Sequence, residues 1–184
     1  MHANSETALI DRKYREVLGA SITPCFESWL HCGSEEARSA ALGFRRARSE
    51  PLFLEAYLEQ PIENLVSMIL NRPVRRDMIV EIGNFAADNA LAMIALWGAA
   101  ANDLGGSAEL AVATLTAPLR RMFLRIGIPI EIIAPATPNH LGEASKDWGR
   151  YYSLDPQICV GVISEGQQAI ANFVGRRSAR VAAI

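Results

Sequence analysis

The chain has 184 residues, half of them hydrophobic, and a formal charge of -2. That length suits one domain with a substantial core, and the composition excludes a largely disordered chain. The near-neutral charge leaves no electrostatic footprint for nucleic acid.

Ala8 to Leu18 places Leu9, Ile10, Tyr14, Val17 and Leu18 on a rough helical stripe, with Gly19 positioned to end it. Pro24 breaks the chain. Cys25 to Cys32 and Ala37 to Arg46 read as two strands joined by the turn Gly33-Ser34-Glu35-Glu36, a hairpin. Ser49 as N-cap and Pro51 in the first turn predict a helix through Leu52, Phe53, Tyr57 and Leu58 to Pro61. Ile62 to Leu70 follows as a second helix, and Asn71 to Asp77 as a loop carrying Arg72, Arg75 and Arg76.

Met78 to Asn89, MIVEIGNFAADN, is the pivotal stretch. Ile79, Val80 and Ile82 form a short apolar run fit for a buried strand, yet Glu81 sits inside it. A carboxylate there is costly unless paired or protonated. Gly83 and Asn84 are expected to end the strand, and Asp88 with Asn89 to open an alanine-rich helix. Strand, loop and helix N-terminus in that order is where α/β proteins commonly hold an anionic ligand.

Ala87 to Leu104 is apolar nearly all round, a helix packed on both sides, closed by Gly105-Gly106. Leu110 to Thr116 reads as a buried strand, Ala117 to Arg125 as a helix ended by Gly127, and Ile130 to Ala134 as another strand. Pro135 to Ser145 is a loop, Trp148 to Tyr152 is aromatic, and Cys159 to Ile163 is a last strand. This alternation implies a mixed central sheet flanked by helices in a single α/β (α+β) domain over residues 1–174. Residues 175–184, with Arg176, Arg177 and Arg180, form a basic tail of the kind that is usually frayed.

Cys25, Cys32 and Cys159 read as structural thiols, and neither they nor His2, His31 and His140 have metal-ligand spacing. The longest apolar run, Ala90 to Ala101, falls short of the ~20 residues a membrane span needs. The N-terminus lacks the apolar core of a signal peptide, which makes a soluble, cytoplasmic protein the expectation.

With these elements placed, the chain resembles the thermostable hemolysin family, itself similar to the GNAT superfamily acyltransferases and more distantly to acyl-homoserine-lactone synthases. The resemblance runs from about Tyr14 to about Gly166. It is carried by Leu52-Phe53-Leu54-Glu55 with Tyr57-Leu58, by Pro61-Ile62-Glu63, by Ile79 to Ala86, and by Trp148-Gly149-Arg150-Tyr151-Tyr152. The family's name records a lytic phenotype rather than a chemistry.

The GNAT resemblance implies an acyl thioester in a splayed gap beside strand 78–84, with strand 110–116 and helix 117–126 as the other wall. Its donor would be acyl-CoA or the acyl-phosphopantetheine of an acyl carrier protein, its acceptor a small amine, with no metal. A homodimer is left open. Phe85, Ala86, Asn89, Thr116 and Arg120 would meet the donor. Glu81 is the base candidate or else an ion-pair partner of Arg75, Arg76 or Arg45. Asn84 is a donor to a carbonyl or a strand-end cap. Tyr151 or Tyr152 would be the acid, or core residues with one hydrogen bond each. Glu55 and Glu63, with Trp148 and Arg75, would line the acceptor side, although a solvated face is the plainer role for the two glutamates. Ala86 to Leu91 lacks the glycines and arginine of the GNAT phosphate loop, and Asp88 there would repel phosphate. Thr116 and Phe123 stand where GNAT enzymes carry Asn and Tyr. A carrier-protein donor, or phosphate contacts from Arg120 and Arg121, would answer those departures. The alternatives are a non-catalytic thioester-binding module and a membrane-active protein.

Overall fold

Strand β3 (Ile79–Ala87) sets the layering, because its side chains alternate between two apolar faces. The computed structural model describes residues 5–34 and 38–182. His2 lies outside them, and the turn expected at Gly33 to Glu36 does so in part. Helix α1 (Ser5–Leu18) leads to the hairpin β1 (Ser28–Gly33) and β2 (Arg38–Arg46). A 3-10 turn (Phe53–Tyr57) and α2 (Ile62–Ile69) precede β3. Then come α3 (Ala90–Leu104), β4 (Leu110–Leu115), α4 (Ala117–Ile126), β5 (Glu131–Pro135), β6 (Gln157–Val162) and α5 (Ile163–Ala182).

The six strands form one mixed sheet in the order β1-β2-β3-β4-β6-β5, with β3 and β4 parallel and every other pair antiparallel. On one face Val80, Ala113, Leu115 and Cys159 pack under α3, α4 and α5 with Leu96, Phe123 and Ile170. On the other, Ile79, Leu110, Val112 and Ile158 meet Leu54, Ile62 and Val66 of the 3-10 turn and α2. A third cluster seats α1, through Ile10, Tyr14 and Leu18, on Ala41, Ala86 and Tyr151.

Two features of β3 position the site. Its pairing with β4 covers only Ile79–Leu110, Val80–Ala111 and Glu81–Val112. Beyond Glu81 the two strands keep their outer partners and part from each other. The second feature is a bulge. Ala41 pairs with Ala86 and Gly43 with Gly83, so Asn84 and Phe85 together oppose Leu42. Asn84 takes a left-handed backbone (φ 49°), which asparagine tolerates better than most residues.

Several boundaries differ from the sequence reading. The strand does not end at Gly83 and Asn84 but runs to Ala87, because β2 carries its ladder past the bulge. Helix α3 starts at Ala90 rather than Ala87, where the Asn89 side chain accepts from Ala92 N–H at 2.9 Å. Ser49 caps no helix; the turn starts at Phe53 with its first amides bonded elsewhere. The basic tail expected from residue 175 belongs to α5 as far as Ala182.

Gly43 and Gly83, paired across β2 and β3, make room for the Phe26 ring. A Cβ at Gly43 would lie 2.5 Å from the ring's own base atoms, so the ring itself has to move. Gly43→Ala should cost about 1–3 kcal/mol as overpacking does. Gly106→Ala, whose Cβ would have nothing within 4 Å, should stay within about 0.5 kcal/mol. Urea denaturation of both variants measures the difference.

Candidate active site

Glu81 points to the same face as Ile79, below the loop that follows β2, and is only 3% exposed. Its carboxylate reaches the start of the 3-10 turn, accepting Phe53 N–H at 2.8 Å and Leu54 N–H at 2.9 Å. These are orphan amides at a helical N-terminus, so the buried charge and the unpaired donors answer each other. Arg45 stands behind, its Nε 3.6 Å from Glu81 Oε2. The rest of that guanidinium is committed outward, to the carbonyls of Cys25 (2.6 Å) and Pro51 (3.1 Å) and over the Phe26 ring. Burial pushes the Glu81 carboxyl up to about 7, against the opposing pull of the two amides and Arg45.

Glu81 lines a cavity of about 210 Å³ with Asn84, Gly83 and Thr114. Its walls include Tyr14, Phe53, Tyr57, Trp148 and Tyr151. Thr23, Cys25, Ala144 and Asp147, all exposed, stand at its mouth, so the carboxylate is not sealed off by its arginine. The bulge explains the place of Asn84. Gly83 and Asn84 both border the cavity although they are consecutive, and Phe85 returns to the opposite core. The Asn84 side chain lies beside Tyr14, and its Oδ1 is buried without a partner.

Trp148 is held by a tight approach. Gly149 adopts φ 54°, and a Cβ there would fall 2.3 Å from the Leu18 carbonyl. Arg150 N–H donates to that carbonyl at 2.8 Å and Ser21 N–H to Asp147 O at 2.7 Å, clamping the loop onto the end of α1.

Across the sheet, on the helical side of the β3–β4 parting, lies an apolar cavity of about 80 Å³. Ile82, Ala113 and Leu115 border it from the strands, Trp97 and Phe123 from α3 and α4.

Other expected site residues lie elsewhere. Glu55 does not face the cavity. It takes a two-pronged bond from Arg76 (2.6 and 2.8 Å) and caps Leu52 N–H and Ile62 N–H, which, with Arg76 first, holds its carboxyl down at about 2. Glu63 shares the same arginine at 2.9 Å. Arg75 is exposed and paired with Asp77 two residues on. Arg120 is bound to the Leu115 and Asp155 carbonyls and to the Asp155 carboxylate. Phe85 packs edge-on against Trp97, Ala86 lies under α1, and Asn89 is spent as the α3 cap. Thr116 is buried at the start of α4. Tyr152 lies outside the cavity lining and steadies Tyr57, their hydroxyls 2.8 Å apart. Tyr151 borders the cavity, but its hydroxyl donates to Thr114 O at 3.3 Å, and burial pushes its pKa well up. It can therefore hold a hydrogen bond but releases its proton poorly.

Sequence reasoning missed Tyr14, Phe26 and Asp147. It also missed Arg12 and Lys13 on α1, which bind Asp88 at 3.2 and 3.0 Å and offset its charge at the opening of α3. The helical spacing of Tyr14 reported only that it was buried.

The model of the family described as Thermostable hemolysin matches residues 2–167. No curated protein matches the sequence. Among solved structures, the AHL synthase LasI is similar over 88% of this chain and 83% of its own, with 12% identity and a TM-score of 0.60. BjaI, a CoA-dependent acyl-homoserine lactone synthase solved with SAM and isopentyl-CoA, is similar over 92% and 81%, with 12% identity and a TM-score of 0.58. FeeM, an N-acyl amino acid synthase from uncultured soil microbes, is similar over 89% and 92%, with 10% identity and a TM-score of 0.55. At these identities the likeness is one of fold.

The Glu81 carboxyl makes a pH prediction. The folded state holds its proton at about 7, against 4.5 in an ordinary glutamate, so folding favours the protonated form. Its contribution is then complete at low pH and is lost as pH rises from 4.5 through about 7. At about 1.4 kcal/mol for each tenfold change in proton affinity, wild type should lose roughly 3 kcal/mol relative to Glu81→Gln between about pH 4 and 8. Urea titrations of both proteins across that range measure it, and parallel profiles would show an unshifted carboxyl.

Proposed function

The chain belongs to the thermostable hemolysin family, and from that premise we propose that it is an N-acyltransferase moving an acyl group from a thioester to a small amine. The observation that carries the reading is the parting of β3 and β4 just past Glu81, with one cavity on each side of the sheet beside it. Unpaired strand edges there offer amides to an extended pantetheine arm. The apolar cavity bordered by Trp97 and Phe123 takes the acyl tail, and the polar cavity takes the amine. Sharing this fold with two acyl-homoserine lactone synthases and an N-acyl amino acid synthase supports the assignment.

The donor is acyl-CoA or an acylated carrier protein. Arg12 and Lys13, paired with Asp88 at the opening of α3, would exchange that partner for a donor phosphate. Glu81 serves as the proton carrier, directly or through water. An acceptor that arrives as an ammonium has three protons on nitrogen. One leaves for solvent before attack, and one passes by way of Glu81 to the departing thiolate sulfur. The third stays on the new amide. The C–S bond breaks as the C–N bond forms, and a carboxyl near 7 is basic enough for the first transfer and acidic enough for the second. The role expected of Tyr151 or Tyr152 as the acid is thereby taken over. Among the described residues no helix is long and apolar enough to cross a membrane.

Thiol release from panels of acyl-CoA and acyl-carrier-protein donors, each with several amines, tests the proposal. Glu81→Gln should lower turnover by about 10²–10⁴-fold, and wild-type kcat/KM should rise with pH through about 7. Phe123→Ala should move the preferred donor towards longer acyl chains. Folded protein that releases no thiol from any donor would end the catalytic reading.

A further inference from the structure

The polar cavity has an uneven chemical lining. It presents two carboxylates, Glu81 in the floor and Asp147 at the mouth, yet no lysine, arginine or histidine among the described residues borders it. Arg45, the nearest cation behind Glu81, is not itself in the lining, and its terminal nitrogens are committed to the carbonyls of Cys25 and Pro51. Tyr14, Phe53, Tyr57 and Trp148 surround the space with aromatic rings. Asn84, 7% exposed and held in a left-handed bulge, adds an unpartnered acceptor oxygen. A buried acceptor without a donor is costly, and its residue borders a cavity roomy enough for a small molecule.

We propose that the acceptor is a cationic amine without a free carboxylate, its ammonium held by Asn84 Oδ1, Glu81 and the aromatic walls. This rests on the acyl-transfer reading for the word acceptor, but the binding claim stands on the cavity alone. Each group has a reason. An ammonium brings three donors and no acceptor, which suits an amide oxygen and a carboxylate whose two oxygens each keep a spare lone pair. Ring faces attract the same cation. A substrate carboxylate would meet two acidic groups in a half-buried space whose lining holds no cation, the nearest, Arg45, lying behind Glu81. An amino acid is therefore disfavoured relative to its decarboxylated counterpart, whatever the side chain.

Matched pairs isolate that one group: phenethylamine against phenylalanine, tyramine against tyrosine, putrescine against ornithine. Calorimetric titration of the purified protein near pH 7, without donor, should show each amine binding at least about tenfold more tightly than its amino acid. Asn84→Asp, which keeps the acceptor and tolerates the same backbone, should tighten amine binding, and Asn84→Leu should weaken it. Thermal denaturation establishes that both variants are folded. Equal or tighter binding of the amino acids, no saturable binding of any of the three amines, or weaker binding in Asn84→Asp overturns the inference. The two proposals fail separately. Amine binding with no thiol release from any thioester sinks the transfer reaction and keeps the site. Thiol release with amino acids and not with amines does the reverse.

Discussion

The Glu81 carboxylate joins two layers of the structure through the backbone of the cover. It stands in the middle of the sheet and closes the first two amides of the 3-10 turn above. A leucine in its place would suit the strand, since Ile79 shares its face and lies in a dry core. It would also leave Phe53 N–H and Leu54 N–H buried without acceptors, each costing about 1–3 kcal/mol. The carboxylate is thus structurally justified by the cover, and the cover is anchored by the carboxylate. Because the amides occupy only one lone pair on each oxygen, the group remains able to take a proton from the cavity side. One residue can therefore hold the fold and still be available for chemistry.

The bulge and the parting are two consequences of how β3 is partnered. On its β2 side the ladder continues to Ala87, interrupted once where Asn84 and Phe85 oppose Leu42. On its β4 side pairing stops at Glu81. A strand bonded along one edge and free along the other presents its backbone to a ligand over the free half. The bulge then turns one extra polar side chain toward the cavity. Neither feature alone would place Glu81, Asn84 and an open strand edge within one stretch of four residues.

Much of this was legible in the residues, and what escaped has physical causes. The mixed sheet follows from apolar runs and helical stripes of ordinary length, and Glu81 stood out because a charge in such a run requires compensation. Glu55 and Glu63 were misplaced because the sequence shows acidic side chains on helices but not Arg76 arriving from another segment to bind both. The end of β3 was misjudged because Gly83-Asn84 is turn chemistry, which a bulge uses equally well. In α5 the inward residues, Ile163, Ile170 and Phe173, are sparse and the glycines at 166 and 175 weaken the pattern, so packing rather than periodicity makes the helix. Trp148-Gly149-Arg150 was recognisable as a motif, and the closeness of Gly149 to the Leu18 carbonyl supplies its reason.

That same carbonyl shows how much depends on α1. From one helix, Arg12 and Lys13 reach Asp88 beside the opening of α3, Tyr14 borders the polar cavity with Asn84, and the Leu18 carbonyl anchors the loop bearing Trp148. The first contact lies at the opening of α3; the other two frame the polar cavity. A phosphate loop without glycine and with an acidic residue looks defective when read along the chain. In three dimensions the acidic side chain pairs with α1, a helix seated on the sheet by its own apolar face, and its charge is already offset by Arg12 and Lys13. If Asp88 were replaced by a glycine, the backbone could approach a phosphate more closely. The pairs with Arg12 and Lys13 would be lost at the same time, while the apolar face of α1 would keep its seat. The acidic residue of that loop therefore has partners of its own, which a reading along the chain does not show.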